Sequence, residues 1–153
     1  MATTYSVQKT KWDQTSPSEK IKPNEFGGRV RIAYGLKEAA SLAVGPIEMF
    51  NLPNGARILS AELVHDALGS STTASVGHAA YVNSAGTAVA LDVDEFKAAA
   101  ASTGVATVVC AATTALGRYS VVDADKDGMP ITVVIAGAAA TGTIELTMQY
   151  VVD

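Results

Sequence analysis

From Thr143 to Asp153 apolar and polar residues alternate almost without a break: Ile144, Leu146, Met148, Tyr150 and Val152 are interleaved with Thr143, Glu145, Thr147 and Gln149. Successive side chains of a β-strand point to opposite faces, so this stretch has one dry face and one wet one. On a helix the same residues would scatter around the circumference. The preceding run Ile131–Gly137 is rich in β-branched residues, and Ala138–Gly142 is a short connection of small residues. Together they predict an antiparallel hairpin. An apolar-faced hairpin needs a second layer. The rest of the chain is therefore expected to supply a sheet that covers it.

Further strands follow from the same reasoning. Arg29–Tyr34 alternates Arg29 and Arg31 with Val30 and Ile32, Ala39–Val44 is a weak second strand, and Ile47–Leu52 is a third. Pro53-Asn54-Gly55 is a turn, because Pro presets φ and Asn-Gly accepts positive φ. Ala56–Leu68 and Thr73–Val82 are expected as strands, as are Thr107–Ala112 and Arg118–Val122. Asp92–Ala101 reads instead as a short helix: a capping Asp, acids in the first turn, then an alanine run stopped by Gly104. The expected fold is all-β, an antiparallel sandwich, jelly-roll-like, of about eight to ten strands at ~8–12-residue spacing with at most one short helix.

Residues 1–28 differ from the rest. They are polar, hold Pro17, Pro23 and Gly27-Gly28, and show neither strand nor helix periodicity. They are expected to form an extended N-terminal arm, with the sandwich domain over residues 29–153. Yet Tyr5, Val7, Trp12, Ile21 and Phe26 are spread through this arm, and Trp12 is the chain's single tryptophan. Large aromatics on such a segment serve either as anchors on a partner surface or as a cap folded back on the body. Residues 1–31 carry six cations against three anions, a net +3, which leaves −7 on the remainder within the whole-chain −4. Because the cations are interleaved with acids, the arm is read as directed at protein and not at nucleic acid. Tyr5, Lys9, Lys11, Trp12, Lys20, Ile21, Lys22 and Phe26 are its candidate partner-binding residues.

Reactive chemistry finds little support. Asp123, Asp125 and Asp127 before Gly128 resemble the opening of a calcium loop, but Val134 stands where the closing bidentate Glu is needed. The same spacing serves as ordinary turn chemistry. His65 and His78, on strands expected to be neighbours, are read as structural, since period 2 sends His65 and Asp66 to opposite faces. No serine has a nucleophile-elbow context and no Cys/His cluster suits zinc. Cys110 is alone, so no internal disulfide forms, and its apolar neighbours mark it as buried. No cofactor and no enzymatic activity are expected. The apolar runs are too short to span a membrane and the start carries no export signal, so synthesis in a cytoplasm is expected, with no membrane partner.

Several motifs, in order, carry a resemblance: Leu52-Pro53-Asn54-Gly55-Ala56-Arg57-Ile58, Leu63–Leu68, Ala74-Ser75-Val76-Gly77-His78, Asp92-Val93-Asp94-Glu95-Phe96, and the closing segment Ile131–Tyr150. From Leu52 onward the chain resembles small virion proteins of tailed bacteriophages encoded beside the major capsid protein, among them capsid decoration (cement) proteins and head-fibre bases. The resemblance implies a β-sandwich that often trimerises and a location on the capsid exterior. It also implies stabilisation of the shell by binding the major capsid protein, with no catalytic residue to carry over. A head-fibre base or a module for a host glycan or receptor is the alternative. The arm carries none of the matching motifs.

Overall fold

A computed structural model describes residues 4–23 and 25–152. The strands are β1 Val30–Leu42, β2 Gly45–Leu52, β3 Arg57–His65, β4 Thr73–His78, β5 Tyr81–Val82, β6 Ala88–Val89, β7 Asp92–Ala101, β8 Ala106–Cys110, β9 Met129–Ala136 and β10 Ala140–Val151. One sheet has the order β1-β10-β3-β8 and the other β2-β9-β4-β7, while β5 and β6 form a separate two-stranded ribbon. All pairings are antiparallel. Apart from the step from β4 to β7, successive long strands cross from one sheet to the other, which is the winding of a jelly roll. The expected all-β sandwich is the observed fold.

The core lies between the sheets. Ile58, Leu63, Ile144, Leu146 and Met148 of the first sheet and Leu52, Val76, Phe96, Ile131, Val133 and Ile135 of the second are all buried. Burying each such side chain contributes about 1.5–3 kcal/mol, so the two inner faces dominate the stability of the body. The alternation in β10 sends Ile144, Leu146 and Met148 inward as expected. A register shift against β3 between Gln149 and Tyr150 then leaves Val151 buried and Tyr150 half-buried. Asp153, the last residue of the expected strand, lies outside the described residues.

Several expectations are corrected. The terminal hairpin does not exist: β9 pairs with β2 and β4, whereas β10 pairs with β1 and β3 in the opposite sheet. The link between them is a corner. Gly137 sits there at φ 86°, and a Cβ on it would lie 2.0 Å from the Ser71 carbonyl oxygen. Both strands needed an apolar partner, but that need is met across the sandwich, by packing, and not across a shared hydrogen-bond ladder.

Asp92–Ala101 is the strand β7, not a helix. Its pairing with β4 buries Phe96, and the Val93 carbonyl accepts a hydrogen bond from Ser75 Oγ at 2.8 Å. Tertiary pairing outweighs the helix propensity of the alanines. The one α-helix among the described residues, α1 Val7–Trp12, lies in the arm, which is therefore not wholly extended. Arg29–Tyr34 and Ala39–Val44 belong mostly to the single strand β1, irregular only near Ser41 at φ 53°. Thr73–Val82 divides into β4 and β5. Arg118–Val122 is not a regular strand, though its backbone hydrogen-bonds to residues 55–58 around an antiparallel bridge of Val121 with Arg57.

Candidate partner-binding site

Helix α1 starts at Ser6, whose Oγ accepts the Lys9 N–H at 3.2 Å, and its last turn is tied by an ion pair between Lys9 and Asp13. None of its residues is buried. So short a helix is marginal alone and depends on what it packs against. It packs within the arm. The chain turns back through Pro17 and Pro23 and sets the Phe26 ring edge-on to Trp12 with centroids 4.9 Å apart. Trp12, Ile21 and Phe26, with Gln8 and Lys9, line an open apolar hollow of about 320 Å³. Trp12 remains 54% exposed and Phe26 63%.

The structure thus brings together four of the candidates: Lys9, Trp12, Ile21 and Phe26. Lys9 Nζ also stands 5.8 Å over the Tyr5 ring, a cation–π contact at the exposed edge of the group. Lys11 turns elsewhere, to Glu25 Oε1 at 2.6 Å. Lys20 and Lys22 are exposed and do not join the hollow's lining.

Glu25 and Arg57, which sequence reasoning did not single out for a role, anchor the arm to the body. The Glu25 carboxylate is 8% exposed and lies between Lys11 and Arg57, the latter 3.6 Å away at the start of β3. The hydrogen bond from Lys11 holds its pKa below the usual carboxylate value against the opposing effect of burial, with the Lys22 N–H and the Arg57 charge adding to the lowering. Arg57 also donates to the Tyr119 carbonyl at 2.9 Å. Gly28 closes the junction, since a Cβ there would lie 2.5 Å from Val151 and 2.6 Å from the Pro23 carbonyl. Only the presence of an acid among the arm's cations hinted at this anchor.

The other candidates separate. The three aspartates of the 123–127 turn do not converge: Asp123 accepts from the Ser84 backbone and hydroxyl, Asp125 from the Asp127 N–H, and Asp127 pairs with Lys126. Ser84 holds Asp123 below its ordinary pKa. The two histidines stand in opposite sheets, not on neighbouring strands. Each is buried and fastened to the backbone, His65 Nδ1 to the Asp66 carbonyl and His78 Nδ1 to the Ala79 carbonyl, both at 2.8 Å. Burial pushes the Cys110 thiol up to about 11, which makes it a poor nucleophile. Among the described residues no three His, Cys, Asp or Glu side chains gather as a metal site, and no helix is long and apolar enough to cross a membrane.

No family profile and no curated protein matches the chain. Two solved structures share its fold. A chain of the cyanophage Pam1 capsid asymmetric unit is 20% identical, with both chains covered in full and a TM-score of 0.60. A chain of the capsid of Ralstonia phage GP4 is 22% identical over 82% of this chain and 86% of that one, with a TM-score of 0.61. The jelly roll described above is therefore a fold present in two phage capsid assemblies. The likeness to the Pam1 chain runs through the arm as well as the body.

Proposed function

We propose that this chain is a structural protein of a bacteriophage virion that decorates the outside of the capsid and reinforces the shell by bridging major capsid protein subunits. The fold shared with chains of two phage capsids supports a virion role. One observation carries the attachment mode: the arm gathers Trp12, Ile21 and Phe26 into a hollow that the body does not fill. A buried aromatic anchor ringed by polar groups is the usual centre of a protein interface. The occupant would be an apolar side chain of a capsid subunit, with Lys9, Lys20 and Lys22 meeting acidic residues around it.

The body would act as the rigid holder. Three copies, each with one arm, would gain avidity that a single arm lacks, because the second and third arms bind at the effective concentration the first imposes. Shell reinforcement then comes from many shallow contacts spread across subunits. Purified capsids lacking this protein provide the test. The full chain should co-sediment with them, and Trp12→Ser with Phe26→Ser should abolish binding while leaving the body folded. Undiminished binding by that variant would move the interface to the sandwich, and binding confined to tails would end the capsid reading.

A further inference from the structure

The outer face of the first sheet has an unusual distribution of apolar surface. Along β1 the small residues Ala33, Gly35 and Ala39 turn inward, with Gly35 so close to β2 that a Cβ would sit 2.8 Å from Met49 Cβ. The large residues Val30, Ile32, Tyr34 and Leu36 therefore face water, Ile32 at 65% exposure. At the opposite edge Val105 and Val109 are 77% and 61% exposed on the two sides of Thr107. Between these edges the same face is mostly polar: Thr143, Glu145, Thr147 and Gln149 on β10, and Ser60 and Glu62 on β3, with Val64 half-buried among them. The apolar surface lies at the margins, where a monomer has least use for it.

The margins are also where backbone groups lack partners. β1 pairs only with β10, in unbroken register from Val30 to Ala39, and β8 pairs only with β3. Long, regular, apolar edges are sites of strand addition unless something covers them. The edges of the second sheet are less inviting, since β2 carries Pro46 and β7 is broken by two register shifts against β4. An extended strand is the only shape that satisfies both the side chains and the backbone of β1.

We infer that copies of this chain join head to tail through this sheet, β1 of one copy lying antiparallel to β8 of the next, and that the contact closes into a ring. The direction is right: the strands alternate across the sheet, so β1 and β8 run oppositely and a rotated copy continues the alternation. The side chains match when Val109, Thr107 and Val105 of the next copy stand beside Ile32, Tyr34 and Leu36. Charge selects β8 over a second β1. Arg31 and Lys37 would crowd against their own copies in a β1–β1 pair, whereas Ala106–Cys110 carries no charge. A foreign strand on β1 would leave Val105 and Val109 unexplained, while one repeated contact covers both edges. Head-to-tail contacts yield rings when the rotation closes. This inference does not depend on capsid attachment.

Sedimentation of the full chain and two variants tests it. The wild-type protein should form one oligomer of defined mass at micromolar concentration, and Ile32→Glu and Val109→Glu should each be monomeric, because each loses a different half of the contact. Their equimolar mixture should give a two-chain complex and nothing larger, since only one intact edge pair remains. A monomeric wild type overturns the inference, as does either variant retaining the wild-type mass. So does Ile32→Glu losing capsid attachment with its mass unchanged, which would assign the stripe to a capsid subunit. If the glutamates prevent folding, cysteine crosslinking decides: Tyr34→Cys combined with Thr107→Cys should link copies under mild oxidation, and neither alone should. Crosslinking by Tyr34→Cys alone would indicate a two-fold β1 pair and refute the head-to-tail arrangement, as would no crosslinking by the combined variant.

Discussion

In the sandwich, Ile58, Leu63, Ile131 and Leu146 are at or within 1% of complete burial, whereas in the arm Trp12 and Phe26 keep more than half of their surface in water. The two regions also differ in what holds them. The body is held by interdigitating aliphatics between two hydrogen-bonded sheets; the arm is held by an edge-on ring pair and by one carboxylate, Glu25, shared between Lys11 and Arg57. Aliphatic side chains of the body are consumed by folding. The arm's aromatics are not, so they retain free energy to spend on a partner. The difference predicts that damage to the body will read out as stability and damage to the arm as binding.

The sharpest way to break that comparison is to damage the body where it is densest. Leu146, at the centre of β10 and wholly buried, should cost about 2–5 kcal/mol when changed to Ala, the transfer loss plus the cavity it leaves. Denaturant midpoints would show it, and a loss below that range would mean the core is looser than its burial implies. Gly77→Ala should follow at about 1–3 kcal/mol. A Cβ there would fall 2.0 Å from the Asp92 carbonyl oxygen, so β4 and β7 must part to admit it. Binding through the arm should survive both changes in the fraction that remains folded.

Period and turn chemistry made much of the body readable. The alternation of β10, the Pro53-Asn54-Gly55 turn and the runs that became β2 and β3 all express local rules, and the structure keeps them. Choice of partner was not readable, because it is decided by residues far apart in the chain. The alternation of β10 states that one face is dry, yet says nothing of whether β9 lies beside it or across the core. The alanines after Phe96 favour a helix locally, and only the ladder to β4 overrides them. In β1 the usual rule runs backwards: Gly35 faces in where β2 approaches too closely for a side chain. The arm's aromatics stood out by composition alone, but the Glu25–Arg57 tether joins two segments with no common pattern.

A smaller effect on the body should come from His78, which joins β4 to the edge strand β7 through Nε2 to Glu95 Oε2 at 3.1 Å. The hydrogen bond it donates to Glu95 raises its pKa above the ordinary 6.5, against the lowering by burial, with the Ala79 carbonyl and the charges of Glu95 and Asp92 also raising it. A group with a raised folded pKa stabilises fully below its unfolded value and loses that contribution as pH rises through the folded value. The protein should therefore lose stability on going from pH 6 to pH 8. His78→Gln should flatten that slope. A slope that persists in the variant would place its origin elsewhere.

The smallest effect on stability and the clearest on the arm should come from Glu25→Gln. A pair that includes the partly exposed Lys11 contributes at most about 1 kcal/mol, so unfolding should hardly change. The arm itself should loosen, because Lys11 and Arg57 lose the charge that both approach. Trp12, the chain's single tryptophan, reports this directly: its fluorescence anisotropy should fall in the variant while the denaturant midpoint stays nearly fixed. Acid should reproduce the effect in the wild type. Glu25 has a folded pKa below its ordinary 4.5, so its contribution is intact above that value and is lost as pH falls through the lowered folded value. Anisotropy should drop over that interval in the wild type and stay low and flat in Glu25→Gln. An arm that remained equally rigid without the carboxylate would show that the Trp12–Phe26 pair alone holds it, and the contrast between a packed body and an electrostatically tethered arm would have to be redrawn.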